Sequence, residues 1–258
     1  MSTWRRLVLQ GRYQLISFWR DPTATFFTVV LPLIFLVLFT SIFGNNTIGP
    51  PEASVRVATF YVPGILALSV ISATFQNLAL RMVGLREGNL LKRIRGTPLQ
   101  PALYIAGHVL AAVVLAVIMT VLVIAVGWLA FDVSVQADGI PALAITLALG
   151  TATFSCLGFA LAAIIPSEKS SGAMVQAVSL PLFFVSDVFI PPTDDRPQVL
   201  ELIGDLFPIK HTANALFDAF DPFSSGTPMP WGHWAVIAGW GAVGLYVALT
   251  KFRWSKVA

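Results

Sequence analysis

Long stretches free of Asp, Glu, Lys and Arg divide this chain, and four of them, residues 23–43, 57–80, 103–131 and 140–165, carry no charge at all. A bilayer core takes roughly 20 apolar residues as helix, with every backbone polar group paired inside the segment. Each stretch therefore predicts a membrane span, the third and fourth with some tilt. A fifth, 170–190, is interrupted by Pro181 and carries Asp187 near its end; a sixth, 231–251, stays uncharged up to Lys251. Ahead of the first span, Trp4, Leu7, Val8, Gly11, Leu15, Phe18 and Trp19 fall on one arc of a helix, with Arg5 and Arg12 at its edges. That pattern predicts an interfacial amphipathic helix within residues 1–21, anchored by Trp4, Arg5, Arg12 and Trp19. Arg20-Asp21-Pro22 ends it, because Pro22 disfavours helix at Asp21 and is suited to open the next one.

Two segments break the apolar pattern. Residues 81–99 concentrate Arg81, Arg86, Glu87, Lys92, Arg93 and Arg95 in a chain only 11% charged, which suggests a lever between the bilayer and a soluble partner. Were 81–94 one helix, Glu87 would lie in the middle of an apolar arc with no local cation three or four residues ahead. Either Gly88 breaks the helix and Glu87 favours the positive end of a new one, or Glu87 enters a groove on the partner. Further on, Val199, Leu202, Ile203 and Leu206 repeat at helical spacing, and Ile209, Ala213, Leu216 and Phe220 do so again after Pro208. Neither run can span. Together they predict a hairpin of two short amphipathic helices over 191–221, dipping into the outer leaflet or capping a cavity.

Composition agrees with a membrane protein: 56% of residues are hydrophobic and the mean hydropathy is +0.79. Six spans put both termini on one side with 81–99 and Lys169, and that side holds 13 of the 16 basic residues, leaving Arg56, Arg196 and Lys210 on the other. Ten of the 13 acidic residues lie on that other face. Positive charge is retained in the cytoplasm, so both termini are expected there. Basic residues at span ends are explained by topology and anionic lipid, not nucleic acid. The first apolar run is too long for a cleaved signal sequence, so the chain is expected to keep its start. Cys156 is the lone cysteine and reads as core filler. No phosphate-binding Gly-x-x-x-x-Gly-Lys-Ser/Thr motif is present, and His108, His211 and His233 fall on separate segments as structural histidines. No charged residue sits mid-span, which disfavours ion-coupled carriers. Gln76, Asn77 and Gln176 read as interhelical glue, and Gly158 with Ala162, four apart, as a surface for close helix approach between copies.

Arg20-Asp21-Pro22 leading into a span with Pro32, and then Arg86-Glu87-Gly88-Asn89-Leu90-Leu91-Lys92-Arg93-Ile94-Arg95-Gly96-Thr97-Pro98-Leu99 after the second span, closely resemble the permease subunits of type-2 ATP-binding-cassette (ABC) exporters, especially the drug, lipid and natural-product branch. Val188-Phe189-Ile190-Pro191 and Phe207-Pro208-Ile209-Lys210-His211 extend the likeness to nearly the whole chain; Asn89 stands where Thr is more usual. The resemblance implies an all-α integral membrane protein, residues 1–258 forming one transmembrane domain. It would have six spans, an interfacial N-terminal helix, a cytoplasmic coupling segment at 84–97 and an outward re-entrant hairpin between spans five and six. Coupling to a separate ATPase subunit would fall to Arg86, Glu87, Gly88, Asn89, Leu90, Leu91, Lys92, Arg93, Ile94 and Arg95. Candidates for an outward gate are Phe189, Leu202, Leu206, Pro208 and Phe220. Two permeases, identical or different, would work with two ATPases in the inner (plasma) membrane. ATP and Mg²⁺ would bind the partner, this chain holding no cofactor, metal or catalytic residue of its own. The cargo implied is a hydrophobic drug, lipid or secondary metabolite, leaving the cytoplasm. An ion-coupled carrier and an integral membrane enzyme acting on lipid are the alternative classes.

Overall fold

The computed structural model describes residues 2–48, 54–88, 101–190, 197–220 and 229–251. Helix α1 (Thr3–Trp19) packs on α6 (Pro101–Phe131). The crossing is close: a Cβ on Gly107 would lie 2.6 Å from Gln10 Cβ, and one on Gly11 2.8 Å from Leu110 Cδ2. Gly11 and Phe18 are buried, while Trp4, Val8 and Trp19 of the same arc stay exposed, as do Tyr13 and Ile16. Pro22 opens the next helix, as expected, and the Asp21 side chain caps it by accepting from Ala24 N at 3.0 Å.

The first span joins α2 (Pro22–Thr25), a π-helical turn (Phe26–Val30) and α3 (Leu31–Phe43). Short strands β1 (Thr47–Ile48) and β2 (Val55–Arg56) pair antiparallel, Thr47 facing Arg56. The second span joins α4 (Val57–Ile71), a second π turn (Ser72–Gln76) and α5 (Asn77–Glu87). Every residue of α4 is buried, which makes this helix the centre of the bundle. After α6 come α7 (Ile140–Ile164), α8 (Glu168–Val185), α9 (Gln198–Leu206), α10 (Pro208–Phe217) and α11 (Trp231–Lys251). Helix α11 lies along α7, α5 packs against α7 and α8, and α10 fits between α4 and α11.

Among the described residues, five helices are long and apolar enough to cross a membrane: Pro22–Phe43, Val57–Glu87, Leu103–Phe131, Ala137–Ile164 and Trp231–Lys251. Helix α8 is not among them. It stops at Val185, short of the expected 190, because the chain bends through buried Ser186 and Asp187 (φ 56°). Val188 then turns in, its carbonyl 2.7 Å from where a Cβ on Gly64 would stand. The second span runs seven residues past the expected Leu80, through Arg81 to Glu87; a helix bonds its own backbone whatever its side chains, so charge marked the membrane boundary there and not the end of the helix. Residues 84–87 of the expected coupling segment are thus the last turn of α5, and 89–97 lie outside the described residues.

Candidate transport site

Both π turns border one cavity of about 560 Å³. The first span contributes Phe27 and Thr28 to it, the second Gln76, Asn77, Leu80, Arg81 and Gly84, and α8 Glu168, Ser171 and Gln176. The two π turns touch each other. Around the second turn, Ser69 Oγ and Thr74 Oγ1 donate to the carbonyls of Ile65 and Val70, four residues back, at 2.7 Å each, and such bonds loosen regular helix. π turns recur at functional sites because they re-aim side chains. Gln76, Asn77 and Gln176, expected as glue between helices, instead converge on the cavity, whose walls are otherwise mostly apolar. That is the make-up of a small-molecule pocket. Two of the charged groups here have protein partners, Asp21 capping α2 and Arg81 donating to Ser17 Oγ, while the Glu168 carboxylate lies over Gly84, 3.2 Å from where a Cβ would stand.

The same helix runs into the segment where coupling is expected. Arg86 was expected to face a partner, yet it is 8% exposed and donates from Nη1 to the Ala162 carbonyl at 2.9 Å and from Nη2 to that of Ile165. Those oxygens belong to the end of α7, where carbonyls lack intrahelical donors and attract a cation. Gly88 closes α5, its N–H bonding the Gly84 carbonyl at 2.9 Å. Half-buried Glu87 is thus the last residue of α5. Asn89, Leu90, Leu91, Lys92, Arg93, Ile94 and Arg95 lie outside the described residues.

At the other end, Phe189 joins the first span to α8 through ring contacts with Phe35, Phe39, Phe183 and Phe184, with centroids 5.3 to 6.1 Å apart. Pro208 and Phe220 are buried in the α10 contact, but Leu202 and Leu206 are 73% and 62% exposed. The apolar face of α9 thus points away from the protein.

Sequence reading missed the polar cluster beneath it. Buried Lys210 reaches Asp205 at 2.7 Å and Asp187 at 3.8 Å. His211 and His233, expected apart, meet Nδ1 to Nδ1 at 2.8 Å, and His211 Nε2 lies 2.8 Å from the Asp205 carbonyl. A carbonyl only accepts, so His211 Nε2–H donates to it, and in neutral imidazole His211 Nδ1 then accepts from His233 Nδ1–H. These residues come from three helices and the bend after α8, and no periodicity within one helix could have joined them. Gly158 and Ala162 are likewise spent within the chain: a Cβ on Gly158 would sit 2.8 Å from the Phe75 carbonyl, and Ala162 is fully buried beside α5.

The sequence profile of the ABC-2 type transporter family matches residues 7–220, from the interfacial helix to the end of the hairpin. The chain belongs to that family. It is similar to the daunorubicin resistance ABC transporter permease protein DrrB1 of Streptomyces coeruleorubidus, 27% identical over 78% of this chain and 70% of that one. It also resembles the putative transport permease ycf38 of Cyanophora paradoxa, 25% identical over 75% and 66% of the two chains. A third relative is the inner membrane transport permease YadH of Escherichia coli, 27% identical over 63% of each. This chain thus spans about two thirds of the length of its curated relatives. As an ABC-2 permease it is a multi-pass membrane subunit of an ABC transporter.

Proposed function

We propose that this ABC-2 permease exports an amphipathic drug, lipid or secondary metabolite from the cytoplasm, driven by ATP hydrolysis on separate nucleotide-binding subunits. One observation carries the reading: α5 lines the cavity with Asn77, Leu80, Arg81 and Gly84, and the same rod ends at Glu87, within the basic segment 81–99. A push on that segment reaches the cavity wall within three helical turns. Arg86 ties α5 to the end of α7, so the second and fourth spans respond as one body. Two permeases with two ATPases would rock between inward-open and outward-open states. Helix α8 counts as the fifth of six spans in this reading, its modest apolarity suiting a wall shared with a second copy and the cavity better than one facing lipid alone. Cavity, coupling segment and both termini then lie on the cytoplasmic side of the inner membrane. The DrrB1 relative, named for daunorubicin resistance, supports a polycyclic amphiphile as cargo.

The test is daunorubicin uptake into inside-out vesicles carrying the permease and its co-expressed ATPase. A Gln76→Leu/Asn77→Leu variant should take up the drug about tenfold more slowly, the cost of roughly 1.4 kcal/mol in lost hydrogen bonding, while still binding the ATPase. ATP-independent uptake, or uptake unchanged in the variant, would overturn the assignment.

A further inference from the structure

A second cavity, of about 360 Å³, lies at the end of the bundle opposite Glu87. Three spans terminate on it: Thr40, Gly44 and Asn45 from the first, Arg56 and Ala58 from the second, Trp128 to Asp132 from the third. Its lining is mostly polar, unlike the transport cavity. Arg56 is exposed and donates from Nη2 to the Asp132 backbone carbonyl at 2.9 Å. The guanidinium is held by a neutral oxygen, with donors left over for an anion. Thr40 is 3% exposed, and its Oγ1 has no hydrogen-bond partner among the described residues. A buried hydroxyl in that state is a cost unless something in the cavity pairs with it.

The cavity also presents negative charge. Asp132 lines it, held in the left-handed region (φ 54°) where α6 ends, and terminal helix carbonyls carry partial negative charge toward the same space. A simple anion would satisfy Arg56 and be repelled by the rest; a simple amine would do the reverse. The fitting ligand carries a phosphate and a primary ammonium a few bonds apart. Trp128 and Leu129 on the rim are 60% and 75% exposed, and an exposed indole at the end of a span marks headgroup depth.

We propose that this cavity binds the headgroup of a zwitterionic aminophospholipid from the adjacent leaflet, with its phosphate on Arg56 and Asn45 and its ammonium on Asp132 and the end of α6. The lipid is a resident ligand, distinct from the cargo, and the assignment holds whether or not the other cavity transports daunorubicin.

Native mass spectrometry of the delipidated full-length chain tests it, using micelles doped with phosphatidylethanolamine, phosphatidylcholine or phosphatidylglycerol, and inorganic phosphate alone. Phosphatidylethanolamine should bind with about one per chain resisting dissociation. Phosphatidylcholine, whose headgroup cannot donate to Asp132, should bind roughly tenfold more weakly, as should phosphatidylethanolamine to Arg56→Gln. Arg56→Lys should retain part of the affinity, and Asp132→Asn should shift preference toward phosphatidylglycerol. Equal binding of the three lipids, displacement of phosphatidylethanolamine by inorganic phosphate, or full retention by Arg56→Gln would overturn the proposal. If Arg56→Gln does not purify folded, Arg56→Lys reads the phosphate contact and Thr40→Val the buried hydroxyl of the cavity, and unchanged phosphatidylethanolamine affinity in both overturns it equally.

Discussion

Arg86 stands in a basic run, yet its guanidinium is occupied by the two carbonyls that end α7. A buried cation with charge-assisted bonds contributes more than a surface charge, about 1.5–3 kcal/mol per bond to a charged group. Arg86→Gln should therefore lower the melting temperature of the purified permease by roughly 5 °C and loosen the link between the second and fourth spans, while ATPase binding persists. Arg86→Lys, able to reach one carbonyl, should lie in between. A variant that melts like wild type but fails to bind the ATPase would return Arg86 to the partner interface. Nothing in the sequence separates Arg86 from Arg93, since both sit in one basic segment and only the folded end of α7 supplies acceptors. The same holds for Gly158: its spacing to Ala162 showed that a helix would approach closely, but not that the helix is the chain's own second span.

At the scale of elements, what could be read was what depends on local pattern. Trp231–Lys251 and Ile140–Ile164 match their charge-free windows closely, and the break at Pro208 between α9 and α10 follows from proline geometry. What depends on neighbours was hidden. The second π turn is flanked by the hydroxyls of Ser69 and Thr74 on helix carbonyls, and α8 ends early where the chain bends through buried Ser186 and Asp187, carrying Val188 over Gly64. The two hairpin helices have similar periodicity, yet α10 buries its apolar face and α9 leaves it open. From that difference, Leu202→Ser with Leu206→Ser should change folding stability by no more than about 0.5 kcal/mol, because neither side chain is buried. Export, or its coupling to ATP hydrolysis, should fall if α9 works at the exit. Unchanged transport at matched expression would make α9 an inert cap.

For the molecule as a whole, orientation is the quantity most open to a direct check. In a Cys156→Ala background, Asp132→Cys should react with an impermeant thiol reagent added to intact cells, and Arg93→Cys only after lysis; the reverse pattern would invert the proposed topology and move the lipid cavity to the inner leaflet. A last consequence concerns the paired π turns at Phe26–Val30 and Ser72–Gln76. A π turn holds one residue more than the α-helix around it, and one residue is worth about 100° of helical rotation. If such a turn migrates along its helix, it works as a screw thread: the side chains it passes swivel to a new face while both ends of the rod stay docked. Because the two turns touch, such a migration would make them act as a pair of meshed gears at the cavity wall, exchanging Gln76 and Asn77 for apolar neighbours without unwinding a span. Deleting Ala73 would strip the thread from the second span by restoring plain α-helix. The shortened protein should melt no lower than wild type yet transport far more slowly, and normal transport by it would show that the gears do not turn.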